Sequence, residues 1–266
     1  MGARVLVVFQ SPIVNSKERE AFLQFQIASP TLLDARSLNK RVDTKFLLAR
    51  NRLPKLLDSF SKCTQLVHTA VQDKPNYHTE YWDTTEHQLL RAHLRGQRPR
   101  FKVRVRKYQD RELQYLEIKT ATPQHRTLKA RQAITYPRNL SKEELRHTEL
   151  LKQNQHVQSL HLEPKLTTTF QRFTLLGINE NVRMTIDIRP QFKCQSQIKS
   201  LEQLVIIELK QERARPRGTL MKILREARID QMSFSKYCTA SALLFPELSM
   251  PAYRAKIRQI KRRLNV

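Results

Sequence analysis

The chain has 266 residues but only four glycines, Gly2, Gly96, Gly177 and Gly218, all far apart. Motifs that press clustered glycine backbone against phosphate are thereby excluded, among them the Walker loop, the dinucleotide fingerprint and the kinase glycine loop. Cysteine is scarce as well: Cys63, Cys194 and Cys238 are odd in number and lack paired spacing. Neither a secreted disulfide framework nor a zinc ribbon can be built from them, and a reducing cytoplasm is the expected location. No apolar run approaches the ~20 residues that cross a bilayer, and Val5 to Phe9 is too short for a signal peptide, so no stable membrane insertion is expected. Acidic residues are the last shortage, 24 Asp and Glu against 49 Lys and Arg, for a net charge of +25. Solubility alone does not require that much charge, and a polyanionic partner does.

Hydrophobic content of 39%, with charges interleaved among the apolar residues, argues for a folded domain instead of a basic tail. Residues 1–36 read as a variable lead-in, 37–245 as the main domain and 246–266 as a basic C-terminal helix.

What the sequence does contain is alternation. Neighbouring side chains of a strand point to opposite faces. RFKVRVRKY divides into Arg100, Lys102, Arg104, Arg106 and Tyr108 on one face and Phe101, Val103 and Val105 on the other. RVDTKFL groups Arg41, Asp43 and Lys45; YLEIK sets Glu117 and Lys119 opposite Leu116 and Ile118; TLKARQAI groups Lys129 with Arg131. TFQRFTLL carries Arg172, VRMTIDI sets Arg183, Thr185 and Asp187 against Val182, Met184 and Ile186, and LVIIELK ends on Glu208 and Lys210. With YHTEYWD, Tyr77 to Asp83, these are eight predicted strands, a number at which an antiparallel sheet can close into a small barrel.

Three helical patterns flank them. Leu53, Leu56, Leu57 and Phe60 form one apolar stripe. Ser141 with Glu144 reads as a capping box opening a helix to about Gln155. Tyr253, Ile257, Ile260 and Leu264 form a last stripe, opposite Lys256, Arg258, Lys261, Arg262 and Arg263.

Taken singly, each strand could turn its charged face to water and form an ordinary basic surface. Taken together, the apolar faces match the helix stripes and belong beneath them on the outside, which leaves the charged faces lining a lumen. The fold class expected is α+β, an eight-stranded antiparallel barrel with a charged lumen and flanking helices. Twelve cations, Arg41, Lys45, Arg100, Lys102, Arg104, Arg106, Lys119, Lys129, Arg131, Arg172, Arg183 and Lys210, then face four acids, Asp43, Glu117, Asp187 and Glu208. Desolvating an ion costs several kcal/mol even after relaxation, so such a lumen must be wet or filled by a dense anion. Phosphate chains meet that need, and arginine forks suit their oxygens.

The series RVDTKF, YWDT, His93 and Gly96 before RFKVRVRKY, then YLEIK, LKAR, FQRF, VRMTIDI, IELK and FSKYC resembles the polyphosphate polymerase domain of the vacuolar transporter chaperone (VTC) family, from about Leu38 to Leu244. The resemblance implies a triphosphate tunnel that transfers the terminal phosphate of ATP to a growing inorganic polyphosphate chain and releases ADP. It implies a divalent metal, manganese favoured and magnesium the alternative. Lys45, Arg104, Arg106, Lys119, Arg172 and Arg183 are similar to the family's phosphate ligands. Glu208 is similar to its metal carboxylate and Lys236 to a basic residue at the tunnel mouth, while Arg41, Lys102, Lys129, Arg131 and Lys210 join the cationic lining. Residues read as structural are His93, Tyr81, Trp82, Tyr108 and a buried, inert Cys238.

The chain departs from the family where a second lysine usually follows E-x-K, here Ala121, and in the next loop, here TPQH. Its first strand, Arg41-x-Asp43-x-Lys45, has a cation where tunnel triphosphatases carry the first acid of E-x-E-x-K, which favours chain handling over hydrolysis. The alternatives are a tunnel triphosphatase and a non-catalytic binder of polyphosphate or nucleic acid. The acid-free stretch His87 to Gln109 suits a nucleic-acid backbone but has no recognition-helix or aromatic-sheet motif beside it. The basic face of the last helix could guide a product chain, bind RNA or touch an anionic membrane.

Overall fold

The computed structural model describes residues 15–36, 42–67, 77–124, 126–212 and 217–264. Ten strands form one antiparallel sheet: β1 (Val42–Ala49), β2 (Thr64–Leu66), β3 (Tyr77–Asp83), β4 (Arg100–Tyr108), β5 (Leu113–Ala121), β6 (Thr127–Ile134), β7 (Glu163–Gly177), β8 (Val182–Cys194), β9 (Gln197–Ser200) and β10 (Leu204–Gln211). Their order is β1-β10-β8-β7-β3-β4-β5-β6, with β2 and β9 as short additions to β7 and β8. The eight strands of the main path are the eight read from the alternation.

Among the described residues the two end strands, β1 and β6, are not paired with each other, so the sheet is an open curl and not a hydrogen-bonded closed barrel. Both edges present cations to the concave side, Lys45 on one and Lys129 and Arg131 on the other, and joining them would set like charges side by side. Arg41 lies outside the described residues.

The convex side is dry. Phe46 and Leu48 of β1, Val205, Ile207 and Leu209 of β10, and Met184, Ile186 and Ile188 of β8 form one cluster. Helices α1 (Ser16–Leu23) and α3 (Leu53–Ser61) cover it, with Phe22 stacked on Phe173 at 4.1 Å, while α2 (Pro30–Ala35) has no buried residue. Burying such a side chain contributes about 1.5–3 kcal/mol. After α4 (Gln88–Leu94), a second cluster lies under α5 (Lys142–Arg146), α6 (Glu149–Lys152) and α7 (Gln155–Gln158) and takes Val103, Val105, Leu116 and Ile118 from β4 and β5.

The capping box at Ser141 and Glu144 is present, but the single helix expected to Gln155 is three short ones. At about 100° per residue a straight helix would scatter Leu145, Leu150, Leu151 and Val157 around its axis. The breaks let all four reach the same core.

Helix α8 (Thr219–Glu226) covers the first cluster with Leu220 and Leu224. Helix α9 (Lys236–Leu244) lies against β7, β8 and α4, and α10 (Pro251–Leu264) seats Ile260 and Leu264 on Leu47 and Ile206. The β7–β8 hairpin requires Gly177, since a Cβ there would stand 2.5 Å from the Glu180 carbonyl oxygen.

Candidate functional site

Antiparallel register places the charged residues in rows across the concave face. Lys102, Lys119 and Lys129 stand abreast on β4, β5 and β6, and the adjacent row is Arg104, Glu117 and Arg131. On the other wall Lys45 stands opposite Glu208, Asp43 opposite Lys210, Lys210 opposite Arg183, and Arg172 opposite Asp187. The curl brings the walls within electrical range. Burial lowers the Lys119 ammonium, and Lys45 and Arg104 lower it further, while Glu208 and Asp43 act in the opposite direction.

Of the four acids on this face, two are held by close ion pairs. Glu117 accepts from Arg104 at 2.7 Å, pairs with Lys129 at 2.5 Å and has Arg106 at 3.9 Å. Asp187 takes a two-pronged grip from Arg172 at 2.5 and 2.7 Å and a further bond from Lys236. Burial works to raise both carboxyls, yet these cations hold each at about 2. Glu208 differs, with Lys210 at 3.4 Å and Lys45 at 3.9 Å. Burial works to raise it too, but the field of Lys210, Lys45, Arg172 and Lys236 keeps it well below the usual carboxylate range. It stays ionised, and among the described residues Lys210 is the nearest cation paired with it. Burial, opposed by nearby acids, brings Lys210 and Lys236 down to about 8, and burial with the Lys119, Lys45 and Arg104 charges does the same to Lys102.

Among the described residues no three His, Cys, Asp or Glu side chains cluster as a metal cage. A divalent cation could take Glu208 as a single hard oxygen anchor, with its other positions left to oxygens from outside the chain. A bare cation would meet Lys45 and Lys210 beside that anchor.

Lys45 donates to the Phe234 carbonyl at 2.8 Å. Arg106 donates to Thr79 Oγ1 at 3.1 Å, and Arg131 lies over the Tyr115 ring at 4.9 Å. Arg100 is drawn to the rim, donating to His93 Nδ1 at 3.1 Å and to the Gln97 carbonyl, so His93 is held as an acceptor.

Sequence reasoning missed two groups. Tyr77 lies between Arg106 and Arg172, 5.7 and 4.9 Å from its centroid, and stacks on Phe170, over which Lys236 sits at 4.1 Å. These rings hold the cations apart without neutralising them. The second is Asp83, buried in YWDT. It accepts from the Thr84, Leu89 and Leu90 amides at 2.8 Å and from the Tyr237 hydroxyl at 2.5 Å. Tyr237 also stacks on Tyr81 at 4.8 Å, so α9 is pinned to β3 and its first residue, Lys236, is delivered to the concave face. The parity of Tyr77, Thr79 and Tyr81 was the available signal for the first group. None existed for the second, because Asp83 and Tyr237 are 154 positions apart.

The family model described as the VTC domain matches residues 40–245. No curated protein matches the chain. Among solved structures, an adenylyl-cyclase-like protein from Hippeastrum, described as having a dominant triphosphatase activity, is 15% identical with a TM-score of 0.48, covering 76% of this chain and 95% of its own. A conserved hypothetical protein from Pyrococcus furiosus is 14% identical with a TM-score of 0.39, covering 71% and 89%. A protein from Pyrococcus horikoshii OT3 is 13% identical with a TM-score of 0.41, covering 74% and 96%.

Proposed function

The chain belongs to the VTC domain family, and from that premise we propose that it is an ATP-dependent polyphosphate polymerase. The cationic concave face is the observation that carries the reading. In the proposed reaction a terminal oxygen of the polyphosphate chain forms a bond to the γ-phosphorus of ATP. The bond from that phosphorus to the β,γ-bridging oxygen breaks, and ADP leaves with the electron pair. Such a transfer needs in-line positioning and charge neutralisation more than a nucleophilic side chain.

Arg104 and Arg106 on one wall and Arg172 and Arg183 on the other supply forked donors to the phosphate oxygens, with Lys45, Lys119 and Lys236 as point charges. Lys102, Lys129, Arg131 and Lys210 extend the lining. Close pairing with Glu117 and Asp187 fixes their arginines in place before any phosphate arrives. A manganese or magnesium ion held by Glu208 and phosphate would supply Lewis-acid neutralisation of the transferring group. Arg41 is proposed for the same lining on sequence grounds alone.

Purified protein incubated with ATP and manganese, and resolved on a gel stained for polyphosphate, tests the reading. Chains that lengthen with time are expected. ADP release without chains would replace the polymerase with a triphosphatase.

A further inference from the structure

We propose that a groove along α10 is a second polyanion site, which holds an inorganic polyphosphate chain where it passes beyond the concave face. The proposal rests on the phosphate-chain reading above. The groove has a volume of about 700 Å³, and its lining includes Ser233, Ala255, Lys256, Gln259, Arg262 and Arg263. The helical members are spaced at three- and four-residue intervals, which lays them in one line along the helix surface.

Continuity with the concave face identifies the occupant. Lys45 donates to the Phe234 carbonyl at 2.8 Å, and its own carbonyl accepts from the Met232 amide at 2.8 Å. Between those two residues, Ser233 turns its hydroxyl the other way and accepts from Lys256 at 2.5 Å. One short segment therefore carries Lys45 on one side and the first groove cation on the other. The two ammonium groups repel each other through it: burial lowers Lys256, and Lys45 lowers it further. The helix cannot roll its cations away, because Ile260 and Leu264 are buried on Leu47 and Ile206. Among the described residues neither Lys256 nor Arg262 pairs with an acid, and the Asp230 that meets Arg263 at 3.7 Å is 82% exposed. The described lining contains no aromatic ring, and the neighbouring ring of Tyr253, its centroid 5.6 Å from Lys256 Nζ, packs on the core with its hydroxyl 3.3 Å from Thr239, which favours a bare phosphate chain over single-stranded nucleic acid.

Fluorescence anisotropy with tripolyphosphate and with a long polyphosphate chain, on the full chain and on Lys256→Gln/Arg262→Gln, separates the two sites. The expected result is unchanged tripolyphosphate affinity in the double variant, which also verifies its fold, and about tenfold weaker long-chain binding, as for two charge-assisted contacts. Unaltered long-chain affinity would overturn the groove, as would an equal loss for both ligands. Tighter capture of a single-stranded RNA of matched charge, lost in the same variant, would overturn the choice of occupant. A wild-type protein that held neither phosphate ligand would sink the function reading itself, a result distinct from all of these.

Discussion

Glu117 on one wall of the trough and Glu208 on the other are both strand carboxylates among lysines and arginines, yet they are held differently. Glu117 is 1% exposed and bonded directly by Arg104 and Lys129. Glu208 is 16% exposed, and its cations stand 3.4 and 3.9 Å away. The first carboxylate is bonded closely by its neighbours, while the second is kept ionised by cations that stand farther off. The difference separates acids held by close ion pairs from one held at a distance, and Asp187 belongs with Glu117.

The largest effect that can break this comparison is on stability. Glu117→Gln and Asp187→Asn each strand a buried guanidinium and should lower unfolding free energy by about 3–5 kcal/mol in denaturant titration, whereas Glu208→Gln, whose nearest cations stand 3.4 and 3.9 Å away, should cost less than either. A large loss for Glu208→Gln would make it a third clamp. Next in size is turnover: on the proposed polymerase reading, Glu208→Gln should slow chain synthesis by about 100-fold or more while its unfolding midpoint falls less than that of Glu117→Gln, a split that gel assays and thermal melts read together.

Acid titration sharpens the same contrast. Glu117 and Asp187 sit at about 2 when folded, below the ~4 of an unfolded carboxylate, so they contribute stability above that value and lose it as pH falls toward about 2. Unfolding monitored by circular dichroism should fall mainly in that window, and Glu117→Gln should flatten it. The smallest effect is expected at the family's missing cation: Ala121→Lys, opposite Arg100, should strengthen tripolyphosphate binding by a few-fold at most.

The concave and convex faces were legible because alternation is a local signal that survives without tertiary context. Arg100 to Tyr108 and Val182 to Ile188 gave both faces of their strands correctly. β9 has all four residues exposed and β2 has only three residues, so neither offered a pattern to read. Whether eight strands close or curl depends on how two ends meet, which no single strand encodes. That Lys102, Arg104, Lys119, Lys129, Arg131, Arg172, Arg183 and Lys210 share one face of the sheet was likewise readable by parity. The sorting of the acids into closely and distantly paired ones was not, because that follows from a cross-strand pair such as Arg172–Asp187 and from Lys236 arriving from 49 residues away. Asp83, the anchor that delivers Lys236, read only as part of a motif.

Burial leaves several lysines of the concave face easier to deprotonate than a free lysine. Lys102, Lys210 and Lys236 are each near 8, so a bound polyanion should raise them and draw in protons. Calorimetric titration of tripolyphosphate at pH 8, in two buffers of different ionisation heat, counts those protons. Once the protons that tripolyphosphate itself releases are subtracted, net uptake of about one proton or more is expected, with affinity that weakens as pH rises past 8. No uptake, or release, after that subtraction would overturn the expectation.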